Sequence, residues 1–424
     1  MKSQNILLVA YQCGPDMGSV SQIGWEWFTR LSTDHHVTLV THIRNRPAIE
    51  KEKLQANSKI IYIDTEWFAG PVYRMAKRVF PHSEHSVFLV SSIDYFAFDF
   101  AAYRQLKKLL KKGAEWEVLH RVTPVTLAAP TCLGRLGLPM VIGPLNSGLT
   151  DPPGFKKIMK QESTWLSHVR SLRFLPDVLL GSTRLASRIL TANATTRQGV
   201  SPRYHDRCMT MSENGIAFSQ FNFTPWPEAP DATHPLRVLF VGRLTPVKGL
   251  NLLIQAIAKM HHSGCPVLLD VVGDGPMYQQ WYAMSKLHGL ANVVTFHGAQ
   301  PHHAISGFMQ QCHVFCLPSV RESGGAVLLE AMASARPVIA LNHGGPSEIV
   351  TNNEGALLPI ASPSQVIFDL AKTLMDIPHN PTDWRQRGIE GSRRVETTYS
   401  WQAKIKTVEK IYHDVLTEKG LVKC

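Results

Sequence analysis

Between residues 237 and 348 the chain concentrates side chains whose types and spacing suit one chemistry, holding a diphosphate and a sugar. RVLFVGRLTPVKG is an apolar strand ending at Gly242, followed by Arg243 and, five residues on, Lys248. A glycine lets a backbone approach a pyrophosphate closely, and two cations neutralise its charge. Further on, Leu317-Pro318-Ser319 ends a second apolar strand. A polar loop with Glu322 and Ser323-Gly324-Gly325 follows, then a helical stretch containing Glu330. Glycines at a helix start present free N–H groups that attract phosphate. A carboxylate one turn into such a helix accepts hydrogen bonds from two adjacent hydroxyls, as on a ribose. Glu322, ahead of the helix and beside two glycines, is placed over a cleft rather than as a mere complement to the helix dipole. VVGDGP (271–276) and Asn342-His343-Gly344-Gly345 are further strand-to-helix turns, ordinary punctuation taken singly.

These loops need a scaffold that aims strand ends at a common cleft. Short apolar runs bounded by turn residues alternate with longer amphipathic stretches. They are Ile6–Ala10, Val37–Thr41, Ile60–Ile63, Val118–Leu119, Met140–Ile142 and Val178–Leu180, then Arg237–Val241, Val267–Val272, Val293–Phe296, Val314–Leu317, Val338–Leu341 and Ala356–Leu358. The pattern predicts an α/β chain with two parallel sheets, each wrapped by helices, and strand-end loops are where such sheets bind ligands. Prolines 225, 227, 230 and 235 predict an interdomain linker over 216–236. That divides the chain into domains 1–215 and 237–400. A final amphipathic helix lies within 401–424, with Ile405, Val408, Ile411, Tyr412 and Val415 on one face.

In order, G-R-L-x-P-x-K-G, V-x-G-D-G-P, E-S-G-G-x-x-x-x-E and G-G-P-x-E-I-V resemble glycosyltransferase family 4, whose signature is the pair of glutamates separated by seven residues. The first half is similar more loosely. YQCGPDMGSVSQIGWEW resembles the family's glycine-rich first loop, VLHRVTP its strand bearing a reactive-centre histidine, and ENGI (213–216) the lead into the linker. The resemblance implies the GT-B fold, two Rossmann-like domains facing across a cleft, with the terminal helix crossing back to the N-terminal, acceptor-binding domain. It implies retaining transfer of a sugar, a hexosyl transfer, from a nucleoside diphosphate to a hydroxyl of a glycan or lipid-linked acceptor. Surface polysaccharide, lipopolysaccharide or glycolipid assembly is the setting implied, with UDP- or GDP-sugar as donor.

Residue by residue, the resemblance implies that Arg243 and Lys248, behind Gly242, hold the diphosphate, Glu330 the ribose, and Glu322 with the Ser323, Gly324 and Gly325 backbone the transferred sugar. It likewise implies that Gly14 and Gly18 approach the phosphates and that His120 lies near the anomeric carbon. A lone histidine ending an apolar strand is by itself more often a core residue, so the role of His120 rests on the resemblance. Two departures bear on specificity: Gly18-Ser19-Val20 lacks the acid relatives often carry there, and Ser323 stands where many have Phe. No Asp-x-Asp occurs, so the two cations rather than a metal are expected to neutralise the diphosphate, and no cofactor is expected.

Composition limits the setting. The 424 residues are 44% hydrophobic, ample for full cores, and no apolar run is long enough to span a bilayer. The opening segment has no long h-region and no A-x-A cleavage site, so no secretory signal is expected, and seven scattered cysteines, an odd number, fit a reducing cytoplasm. A monomer is expected. Residues 1–200 hold 25 Lys+Arg against 15 Asp+Glu, the remainder 19 against 18. With the basic stretches 69–82, 104–112 and 154–160, this points the first half at an anionic membrane surface, although 104–112 alone reads as a crossover helix with a wet cationic face. A dehydrogenase is excluded, because its G-x-G-x-x-G is missing and the second strand runs into Thr41-His42-Ile43-Arg44 without an acid. An epimerase or phosphorylase on the same fold would keep the donor site and dispense with an acceptor. A nucleic-acid binder, motivated by charge, lacks any reader motif.

Overall fold

A computed structural model describes residues 3–15, 17, 19–79, 93–149, 152, 154, 155, 158 and 174–421. The chain divides into two units. The first comprises Met1–Gly148, Val169–Glu213 and Ile405–Cys424, the second Leu149–His168 and Asn214–Lys404.

The first unit is built on β1 (Asn5–Ala10), β2 (His36–His42), β3 (Ser58–Ile63), β4 (Val118–Thr123), β5 (Met140–Leu145), β6 (Arg188–Thr191) and β7 (Cys208–Thr210). All pair in parallel, in the order β3-β2-β1-β4-β5-β6-β7. The strands read as continuous apolar runs because helices cover both faces; β1, β4 and β5 are buried along almost their whole length. The expected strand Val178–Leu180 is instead the end of a helix, Phe174–Leu180. Val178 and Leu179 are exposed, and the helix closes on Gly181 in the left-handed region at φ 74°. An apolar triplet has no period by itself, and here the glycine after it marks a helix end. The strands in this stretch are β6 and the short β7.

The second unit has β8 (Leu236–Val241), β9 (Val267–Val272), β10 (Val294–Phe296), β11 (Val314–Leu317), β12 (Val338–Leu341) and β13 (Gly355–Leu358), all at the expected positions. Their order is β10-β9-β8-β11-β12-β13, again wholly parallel. In this order the chain reverses direction across the sheet between β8 and β11. The loops leaving these two strands therefore diverge and leave a crevice at their carboxyl ends. They are the loops that carry Gly242–Lys248 and Ser319–Gly325.

The proline-rich stretch differs from a free linker. The division falls at Glu213/Asn214, and 216–236 is fastened along the second unit. The Ile216 N–H donates to the Tyr399 carbonyl at 3.0 Å, Phe221 is buried, and Trp226 Nε1 donates to the His313 carbonyl at 2.7 Å. Arg336, fully buried, donates from Nη2 to the Pro225 carbonyl at 2.8 Å and from Nε to the Met309 carbonyl at 2.6 Å. Proline cannot donate to a ladder, but its carbonyl still accepts, and a buried guanidinium exploits that. Residue 155, inside the basic stretch 154–160, is a buried phenylalanine in the core of this second unit. The lysines of that stretch lie outside the described residues.

The terminal helix spans Trp401–Glu418. Its segment from Ile405 folds with the first unit, with Ile405, Val408, Ile411, Tyr412 and Val415 all buried. Among the described residues no helix is long and apolar enough to cross a membrane.

Candidate functional site

In the second unit, backbone contacts bring the motif residues together. After β8 the chain turns through Pro246–Lys248 to Gly249, which has φ 67°. A Cβ on Gly249 would lie 2.1 Å from the Pro318 carbonyl oxygen, so only glycine lets this turn lie against the end of β11. The Val320 N–H donates to the Val247 carbonyl at 2.8 Å and ties the two loops. Lys248 Nζ then meets Glu322 Oε2 at 2.5 Å, with both side chains mostly shielded from solvent. The Gly325 N–H, at the start of the Ala326–Ala333 helix, faces Glu322 Oε1 at 3.4 Å. A carboxylate thus sits between an ammonium and the positive end of a helix, the place where such a helix attracts an anion.

The Gly344-Gly345 turn supports this loop from behind. Gly345 N–H donates to the Glu322 carbonyl at 2.9 Å. Added Cβ atoms on Gly344 and Gly345 would lie 2.3 Å from the carbonyl oxygens of Glu322 and Ser323 respectively. Gly273 and Gly275 of VVGDGP are likewise pressed on Gly242 and Leu244. These glycines act by permitting close backbone approach. Gly242 is different, because its Cβ position is open, with nothing nearer than 3.8 Å. Arg243 beside it is exposed, and so is Ser323, whereas Gly324 and Gly325 are buried.

Glu330 lies one turn into the helix with its side chain 12% exposed, and His302 Nε2 lies 3.1 Å from its Oε1. The hydrogen bond to this carboxylate raises the His302 pKa. His302 opens the His302–Gln311 helix after Pro301 and was not singled out by the sequence. The only cue there is a histidine at a helix start, since its partner comes from another helix. A surface depression lined by Asn353, Glu354, Asp383, Arg387, Glu390 and Arg394 lies in the same unit, and none of the motif residues lines it.

The first unit corrects the reading of His120 and pairs the amide of Gly14. His120 lies within β4 and is fully buried. Its Nδ1 is 2.6 Å from the Tyr412 hydroxyl and its Nε2 2.7 Å from the Gly143 carbonyl oxygen, with Trp27 packed edge-on against the ring. A carbonyl only accepts, so Nε2 carries the proton and Nδ1 accepts from Tyr412. Burial pushes the imidazole pKa down to about 4, and the ring is neutral. Both nitrogens are committed and no face reaches solvent, so His120 is a bolt between sheet and terminal helix rather than a group beside an anomeric carbon. Gly14 is buried, and its N–H donates to the Ser21 carbonyl at 3.1 Å, so that amide is spent within its own loop. Gly18 lies outside the described residues.

Known proteins resemble this chain in sequence and in fold. Residues 226–391 match the family Glycosyl transferases group 1. A sucrose-phosphate synthase from Thermosynechococcus elongatus superposes with a TM-score of 0.66 at 19% identity, over 98% of this chain and 100% of that one. The fold is GT-B. A second GT-B structure, Anabaena HepE in complex with UDP, superposes with a TM-score of 0.62 at 16% identity, over 97% of this chain and 100% of that one. In sequence, a putative colanic acid biosynthesis glycosyltransferase of Escherichia coli is 31% identical over 158 residues, 36% of this chain and 38% of its own length. The chain spans less than half the length of the curated relatives it matches. No group of three metal-ligating side chains occurs among the described residues.

Proposed function

We propose that the chain is a retaining glycosyltransferase of family 4, with a hexosyl nucleoside diphosphate as donor and a hydroxyl of a glycan or lipid-linked molecule as acceptor. The observation that carries this reading is the Lys248–Glu322–helix constellation, with Glu330, eight residues after Glu322, on the helix that follows it. Cleaving the glycosidic bond of a nucleotide sugar leaves charge on the diphosphate. Lys248, the exposed Arg243 and the N–H groups of the Ala326–Ala333 helix offer preorganised stabilisation for it. A metal is not needed in this scheme, because the two cations supply the positive charge. Glu330 accepts from the ribose hydroxyls, sharing Oε1 with His302. Glu322 is poised for the hydroxyls of the sugar, and Lys248 turns from Glu322 toward phosphate when donor binds. UDP in Anabaena HepE supports a uridine donor, with guanosine the other choice. The E. coli relative supports a role in surface polysaccharide assembly, and lipopolysaccharide or glycolipid assembly would use the same chemistry.

Calorimetry with UDP, GDP and ADP tests the donor site. One diphosphate is expected to bind tightly and to lose about ten- to a hundredfold in Glu330→Ala, since hydrogen bonds to a charged group contribute about 1.5–3 kcal/mol. If folded protein binds none of the three, the assignment fails. With a donor in hand, Arg243→Ala and Lys248→Ala should each lower turnover by roughly 10²–10³. Unchanged turnover in either removes that residue from the mechanism.

A further inference from the structure

The first unit carries a helix whose solvent face is the wrong kind for solvent. On the helix Glu66–Val79, Trp67, Pro71, Arg74, Met75 and Arg78 fall at i, i+4, i+7, i+8 and i+11, one stripe of a 3.6-residue period. All five are exposed, Trp67 at 75% and Met75 at 57%. Phe68 and Val72, off this stripe, are half-buried. A surface helix normally turns its large apolar residues inward. The stripe contains two cations and no acid. The helix packs on Asp94–Lys111, whose exposed residues include Phe100, Arg104 and Lys107.

We infer that the Trp67–Arg78 face is a membrane-docking surface that lays its tryptophan and methionine into the interface of an anionic bilayer while Arg74 and Arg78 meet lipid phosphates. Indole and thioether suit the boundary between headgroup and acyl chain, and arginine pairs with phosphate in a planar fork. The charge decides between a bilayer and a second copy of the chain. A two-fold contact through this face would gather four arginines on one contact whose stripe holds no acid, whereas a bilayer offers each of them a phosphate. The excess of cations over acids in residues 1–200 adds long-range attraction of the same sign. The surface lies wholly in the first unit and does not depend on the donor-site reading.

Flotation of the full chain with phosphatidylcholine vesicles, with and without phosphatidylglycerol, is the test. Wild type should float with the anionic vesicles only. Arg74→Ala with Arg78→Ala should weaken binding about thirtyfold, two arginines at about 1 kcal/mol each. Trp67→Ser with Met75→Ser should weaken it at least tenfold. Calorimetry with the nucleoside diphosphate that wild type binds, and a circular dichroism spectrum, should be unchanged in both variants. Equal flotation of wild type and variants, equal binding to neutral and anionic vesicles, or no flotation at all would overturn the inference. So would a change confined to self-association in size-exclusion chromatography. Failure of nucleotide binding in every protein, with flotation as expected, would sink the donor reading and leave this surface standing.

Discussion

At the scale of single residues, His120 shows how environment decides role. Its ring is held by a hydroxyl and a carbonyl in a fully buried setting. His120→Ala leaves both unsatisfied and opens a cavity beside Trp27, so the variant should lose about 3 kcal/mol or more of stability in urea unfolding. Nucleoside diphosphate affinity should stay unchanged. A reactive-centre role predicts the reverse, an intact fold with lost turnover. The pH dependence has a definite sign. With the folded pKa near 4 and the unfolded one near 6.5, the unfolded chain binds the extra proton between these values. This residue's contribution is therefore full above about pH 6.5 and falls away toward pH 4. Urea midpoints for wild type should drop over that interval more steeply than those of His120→Phe. His302 has the opposite sign, since its hydrogen bond to Glu330 raises its pKa. Its contribution is complete below about pH 6.5 and is lost as pH rises through the raised value. The ring is 62% exposed, which keeps the effect small.

At the scale of elements, the glycines separate into two kinds, and a pair of substitutions distinguishes them. Gly249→Ala forces a Cβ onto the Pro318 carbonyl at a positive φ, and should cost about 3 kcal/mol or more. Gly242→Ala meets only ordinary contacts and should leave stability within about 0.5 kcal/mol. Under the proposed function it should nonetheless weaken diphosphate binding at least tenfold, because the methyl occupies the approach. Both are read by urea unfolding and calorimetry, and equal diphosphate affinity in Gly242→Ala and wild type would remove Gly242 from the site. The elements themselves were largely legible. Every strand of the second unit stands where its apolar run is bounded by turn residues, because a strand buried on both faces leaves an unbroken mark. Val178–Leu180 misled for the same reason, a short apolar run carrying no period. The strap at 216–236 was misread because prolines exclude ladder pairing without excluding burial, and Arg336, which fastens it, lies more than a hundred residues away.

At the scale of the molecule, the proposed function gives the two units different burdens, and ligand linkage should report this. A nucleoside diphosphate at a hundred times its Kd should add about 2.7 kcal/mol of stability to the unit that binds it. His120→Ala should lower the melting temperature with and without nucleotide, while the nucleotide-induced rise remains the same size, because substitutions without shared partners add. Differential scanning calorimetry of the four states checks this. A nucleotide effect abolished by His120→Ala would place the histidine in the binding machinery after all.

Arg243, Lys248, Glu322 and Glu330, the residues of the proposed donor site, could be named from sequence because each follows an apolar strand at short range, and in a parallel sheet the strand ends mark the crevice. Such local periodicity determines which segments are strands, where their loops fall, and that two sheets exist. It cannot determine what a side chain meets across the fold. His120 ends in contact with Tyr412, 292 residues away, and the bond that silences it forms only when the terminal helix packs on the first sheet. His302 reaches Glu330 by the same kind of long-range placement. Lys248 meets Glu322 because Gly249 has no side chain to hold the two loops apart. Backbone conformation is written locally in residue types, whereas burial, pairing and protonation depend on neighbours that only packing supplies.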